Sequence, residues 1–298
     1  MNNRILDILL EHRSLDPVSA EVWVTVTPEQ LTPTTEVRGR LMGPSCPYAS
    51  TIEVAYPLTA LRQTAPPVPG ALRLRVVIPE ASLWDTQAPH LYAGPVELWQ
   101  DGRRCDRVEV RHGLRQLRLG PQGLRLNGRP LLLRGRVCEA CFPEQALALH
   151  RDGCNALLAQ VFPDSNGTWD VADRYGFLVI GRLPPPTDEM VRRLQTLSHG
   201  PSCFGWLVGP EWLAGEWSSR LAQIKGPAGS PFVGVEGGHG AAGALPDVQF
   251  LVGRRDQLPT LARADRPVLL FSEASVAPET PGNLPLLGHV ESGPLSPP

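Results

Sequence analysis

Near residue 125 the chain changes its hydrophobic grammar, and that change limits its fold more than any other feature. Before it, short segments alternate apolar and polar residues. They are EVWVTVTP (21–28), TEVRGRLM (35–42), STIEVAYPL (50–58), ALRLRVVIP (71–79), GPVELWQDG (94–102) and CDRVEVRHG (105–113). A period of two marks strands with one wet face. Asp101-Gly102, between two such runs, is a hairpin signal. Six or seven short strands without a helical pattern predict an immunoglobulin-like β-sandwich over 14–118.

After residue 128 the segments are near-continuous apolar runs separated by helical patterns. The runs are LLLRG (131–135), NALLAQV (155–161), FLVIG (177–181), FGWLVG (204–209), FVGVEG (232–237), VQFLVG (248–253) and VLLFSE (268–273). Such runs belong to strands covered on both faces. Helices are expected over 143–153, opened by Pro143 and stopped by Gly153, and over 170–176, 187–200 and 217–226. Thr187 is placed to cap the third of these. Strand–helix alternation implies a parallel sheet. The fold class is therefore multi-domain β plus α/β: the sandwich, then a shortened (β/α)8 TIM-type barrel of about seven strands over 125–285. Residues 286–298 are expected to form a disordered tail, in which LPLL (284–287), straddling its start, is the one stretch that could stand in for a closing strand. An unclosed barrel leaves strand edges unpaired, which predicts a homo-oligomer.

Composition narrows the function classes. Apolar content of 42% and charged content of 19% describe an ordinary globular chain. A net charge of −2 gives no reason to expect nucleic acid or anionic membrane as a partner. No apolar run reaches the length of a membrane span. The N-terminal MNNRILDILLEHR lacks a cleavage site and reads as a short amphipathic helix, so the expected location is cytoplasmic. The 6 cysteines and 7 histidines show no metal-ligand spacing. Cys138-Glu-Ala-Cys141 is the only close cysteine pair and reads as reduced, buried thiols. No metal or cofactor is expected.

Glu211 and Glu273 each close an apolar run, the fourth and the seventh counted from residue 131. Carboxylates at the C-terminal ends of barrel strands four and seven suggest a retaining glycosidase. Five further segments point the same way in the right order: LWDTQAPHLY (83–92), HGLRQLRL (112–119), GLRLNGRPLLLRG (123–135), DGCNALLAQVFP (152–163) and DRYGFLVI (173–180). Together they resemble glycoside hydrolase family 2, the β-galactosidase, β-glucuronidase and β-mannosidase family. The resemblance spans roughly residues 14 to 275.

That resemblance implies retaining hydrolysis of a β-glycoside, with carbohydrate as the ligand, Glu211 as acid/base and Glu273 as nucleophile. Trp212 and Glu236 are candidates for contact with the sugar. Asp173, in the DRYG turn, and Trp206 read as structural. Several positions depart from the family pattern. Its asparagine before the acid/base is Pro210, its arginine after "NAV" is Leu158, and its histidine before "YP" is Val161. Its acid after "YGLYVI" is Arg182, and the loop after the first strand reads RVCEACFP (136–143). Loss of these polar groups makes an inactive pseudoglycosidase, binding carbohydrate or protein, the alternative expectation.

Overall fold

The computed structural model describes residues 3–16, 18–61, 69–120, 122–162, 167–224, 231–236, 248–261, 266–272 and 286–292. The chain divides into two units, one of residues 1–84 and 88–115, the other of 85–87 and 116–298.

The first unit is all antiparallel. Its strands are β1 (Ile5–Leu15), β2 (Ser19–Pro28), β3 (Glu36–Ser45), β4 (Val54–Pro57), β5 (Thr59–Ala60), β6 (Leu72–Pro79), β7 (Leu91–Gln100) and β8 (Arg103–His112). They form two four-stranded sheets, ordered β1-β2-β6-β5 and β4-β3-β7-β8. Alternation puts Val22, Val24 and Val26 of β2 and Leu74, Val76 and Ile78 of β6 on one buried side, where they share a core with Leu41, Tyr92 and Val96. Asp101 and Gly102 turn β7 into β8 with positive φ of 51° and 73°, as the two-residue hairpin requires.

The N-terminal segment is a strand, which corrects the expected amphipathic helix. β1 pairs along most of its length with β2, and Ile5, Ile8, Leu10 and Leu15 pack against the shared core. Long-range pairing outweighs the helical spacing of residues 5, 6, 8, 9 and 10, and leaves Leu6 on the exposed side.

The second unit opens with a small sheet of β9 (Leu117–Gly120), β10 (Gly123–Leu126) and β11 (Arg129–Leu131). A parallel barrel follows: β12 (Leu133–Cys138), β13 (Ala156–Gln160), β14 (Leu178–Arg182), β15 (Cys203–Val208), β16 (Phe232–Glu236), β17 (Phe250–Arg254), β18 (Val268–Ser272) and β19 (Leu286–Glu291). The barrel is closed, because β19 pairs with both β18 and β12. This corrects two expectations. The strand number is eight rather than about seven, and part of the supposed tail is the closing strand. The open edges from which a homo-oligomer was expected do not exist among these eight strands.

Helices α1 (Pro143–Arg151), α2 (Gly167–Tyr175), α3 (Asp188–Leu197), α4 (Gly215–Gln223) and the short α5 (Leu258–Leu261) cover the outer face. Leu149, Ala172, Leu194, Leu221 and Leu261 pack there against Leu157, Val179, Trp206, Val235 and Leu251 of the strands. Thr187 caps α3, its side chain accepting from the Met190 N–H at 3.1 Å. Asp173 accepts from the Ser202 N–H at 2.9 Å, tying α2 to the entry of β15. No helix among the described residues is long and apolar enough to cross a membrane.

Candidate active site

In a parallel barrel, paired residues of adjacent strands share a face, so the register identifies the lumen. Leu158 pairs with Ile180, Gly234 with Phe250, and Val252 with Leu269. The ring of Phe204 sits edge-on to Phe232 and to Phe250, each at 5.3 Å between centroids. Gly234 makes room for this cluster: a Cβ there would lie 2.3 Å from the Phe250 ring. Aromatic and aliphatic side chains therefore fill the lower lumen and leave the C-terminal rim as the place for polar chemistry.

Arg182, Glu236 and Arg254 are the last residues of β14, β16 and β17 and stand in that upper layer. With Val252, Gln257 and Phe271 they line a cavity of about 250 Å³. The Arg182 guanidinium meets the Glu236 carboxylate at 2.5 Å, with side chains 46% and 55% exposed. Exposure on that scale keeps the pair's worth to about 1 kcal/mol or less. Its effect is to fix two side chains across the intervening strand β15, not to stabilise the fold. The Gln257 side-chain carbonyl accepts from the Arg254 N–H at 2.9 Å and sets the turn after β17.

Glu211 follows β15, the fourth barrel strand, in a 3₁₀ turn over Pro210–Leu213. It is exposed, and its carboxylate folds back over Gly209, where a Cβ would come within 2.4 Å of Oε1. Trp212 holds this turn. It is fully buried, donates from Nε1 to the Pro184 carbonyl at 2.7 Å, and packs edge-on against Trp217 of α4 at 6.2 Å. Trp212 as a platform for a sugar is thereby corrected. Its ring faces are taken up by protein, and its part is to clamp the Glu211 turn to the segment after β14. Trp206 is likewise fully buried, as expected of packing.

Glu273 and the Ala274-Ser275 that follow it lie outside the described residues. The strand leading to Glu273, β18, ends at Ser272 and is the seventh of the barrel. Because all eight strands are parallel, the ends of β15 and β18 lie on the same rim. The residues this site brings together are thus Arg182 and Glu236. Glu211 does not line the cavity that Glu236 lines.

The departures from the family pattern have clear places. Leu158 is 3% exposed on the lumen side of β13. Val161 is fully buried on the opposite side, where a Cβ on Gly181 would touch it at 2.7 Å. Pro210 is exposed beside Glu211. Arg254 and Gln257 line the cavity without any sequence motif that marks them. The one signal for Arg254 is its position at the end of VQFLVG, equivalent to Arg182 after FLVIG. Two exposed aromatics, Phe142 (59%) after β12 and Phe162 (49%) after β13, also stand beyond the C-terminal ends of their strands. Among the described residues no group of three or more His, Cys, Asp or Glu is arranged to hold a metal ion.

No protein-family model matches the chain. Curated relatives do. The chain is 28% identical over 200 residues to a β-galactosidase of Oenococcus oeni, which covers 56% of this chain and 19% of that protein. It is 27% identical over 187 residues to a β-galactosidase of Klebsiella pneumoniae, covering 48% and 18%. The chain thus matches about a fifth of the length of these relatives. Among solved structures, a glycosyl hydrolase family 2 member from Bacteroides cellulosilyticus superposes with a TM-score of 0.71 at 16% identity, over 98% of this chain and 44% of that one. A Bifidobacterium dentium β-glucuronidase complexed with coumarin-3-O-glucuronide gives 0.64 at 15% identity, over 97% and 60%. At such identities the structural likeness is one of fold. The resemblance to glycoside hydrolase family 2 carried by the sequence motifs is met by both kinds of relative.

Proposed function

We propose that this chain is a retaining β-glycosidase unit of the family 2 type, acting on a β-linked carbohydrate. The carrying observation is topological: Glu211 follows the fourth strand, and Glu273 follows Ser272 at the end of the seventh, of a closed barrel whose strands all run the same way. On this reading Glu273 attacks the anomeric carbon while Glu211 protonates the leaving oxygen. Glu211 then takes a proton from the water that frees the sugar. Such a pair works with its carboxyl groups about 5–5.5 Å apart. Glu236, fixed by Arg182, would meet the sugar from the fifth strand. The antiparallel unit is read as the immunoglobulin-like sandwich that precedes the barrel in family 2.

The replaced positions bear on rate more than on reaction type. Pro210, Leu158 and Val161 offer no hydrogen bond to a sugar hydroxyl, and one lost transition-state donor lowers kcat by about 10²–10³. Turnover is therefore expected to be slow and to rest on the two carboxylates. Nitrophenyl β-glycosides of galactose, glucose, mannose and glucuronic acid test this. We expect hydrolysis of at least one, its abolition in Glu273→Gln, and a fall of about 10²–10³ in Glu211→Gln. Inert wild-type protein on all four sugars, or undiminished hydrolysis in Glu273→Gln, would overturn the reading.

A further inference from the structure

The segment between β12 and α1 carries chemistry that glycoside hydrolysis does not use. The described cysteines are all free thiols. Two of them, Cys138 and Cys141, lie three residues apart at the rim of the barrel, 4% and 3% exposed. Each is fixed by a different neighbour. Cys138 is the last residue of β12 and pairs with Ala159 of β13. Cys141 donates its N–H to the Thr168 hydroxyl of α2 at 3.2 Å. Held this way, both thiols stay within one short turn: the Cys138 thiol donates to the Ala140 carbonyl at 2.9 Å and the Cys141 thiol to the Phe142 carbonyl at 3.9 Å. Only Glu139 and Ala140 separate them, both exposed, and the next residue is the exposed Phe142. The turn that covers the sulfurs is therefore at the surface.

We propose that Cys138 and Cys141 form a reversible dithiol–disulfide site that exchanges with a low-molecular-weight disulfide of the glutathione class. Exchange through a mixed disulfide needs one sulfur that attacks and one that resolves. The neighbouring Cys141 thiol draws the Cys138 thiol below its usual range, while the neighbouring Cys138 thiol and burial push Cys141 up. Cys138 is thus the attacking thiolate. It displaces one thiolate from the small disulfide and becomes a mixed disulfide. The Cys141 thiol then loses its proton and attacks the Cys138 sulfur, expelling the second thiolate. Two protein thiols and one small disulfide give one protein disulfide and two small thiols. The sulfurs must close to about 2.05 Å for the bond to form. The bend at Glu139-Ala140 is the part free to follow them, since both cysteine backbones are anchored.

The full-length protein is equilibrated with graded mixtures of reduced and oxidised glutathione, quenched in acid, alkylated and mapped by mass. We expect Cys138 and Cys141 to lose reactivity together, with the oxidised-to-reduced ratio rising in proportion to the disulfide concentration over the square of the thiol concentration. Cys141→Ser should accumulate a glutathione adduct on Cys138, and Cys138→Ser should leave Cys141 unmodified. Wild-type thiols 138 and 141 that stay alkylatable through the most oxidising mixture would overturn the proposal. Adducts confined to Cys46 or Cys105 would do the same. The wild-type titration decides even where a variant fails to fold, and thiol counting is independent of any glycosidase activity.

Discussion

Among single side chains, His12 carries the clearest pH dependence. Its Nδ1 faces His112 Nε2 at 3.3 Å, and burial, with the Arg115 charge nearby, lowers its pKa from 6.5 to about 4. One ring must donate and the other accept, so the two imidazoles cannot both be protonated, and burial beside Arg115 keeps His12 the neutral one. Below pH 6.5 the unfolded chain takes up a proton that native His12 refuses. Stability therefore falls as pH drops through the window from 6.5 to about 4, and is flat with respect to this group outside it. Allowing for partial exposure, the loss is on the order of 2 kcal/mol. Melting temperatures of wild type and His12→Gln, taken at pH 7.5 and 4.5, should converge at the lower pH. Equal slopes in the two proteins would assign the effect elsewhere. Side chains also show where sequence reading stops. Glu211 and Glu236 were legible because each ends an apolar run, and a strand end has a definite place in a barrel. The burial of Trp212 was not legible, because it depends on the Pro184 carbonyl, which is remote in sequence and adjacent in space.

For strands and helices, legibility followed how local the signal is. The helix over 188–197 was marked by its own residues: Thr187 as cap, Asp188 and Glu189 in the first turn, and apolar Met190, Val191, Leu194 and Leu197 on one side. Thr187→Ala should remove the bond to the Met190 N–H and cost about 1 kcal/mol. Thr187→Ser should restore most of it, as read by thermal melting. β1 and β19 lacked such marks. The apolar spacing of β1 suits a helix face as well as a strand, and only the partner β2 decides between them. β19 reads LLGHVE, short and broken by glycine and histidine, so neither periodicity nor length announces a strand. Its identity comes from the two neighbours it joins.

Considered as a single folded chain, the barrel depends on that last strand. β12 and β19 meet at Leu133 and Gly288, where only a residue without a side chain fits. A Cβ on Gly288 would fall 1.9 Å from the Leu133 carbonyl oxygen, at a φ of +142°. Gly288→Val should therefore cost about 3 kcal/mol or more and lower the melting temperature of the barrel unit. Gly128→Ala, at a positive-φ turn with open space around it, should cost only about 1 kcal/mol. Similar losses in both would mean that the seam is not what limits stability. The seam also orders events during synthesis. The antiparallel unit has its sheets in hand once residue 115 has left the ribosome. The barrel must wait for residues 286–291, so the seven earlier strands lack their closing partner until β19 has been made. Slow or stalled translation would prolong that interval, which makes this seam the place where chaperones have the longest opportunity to act.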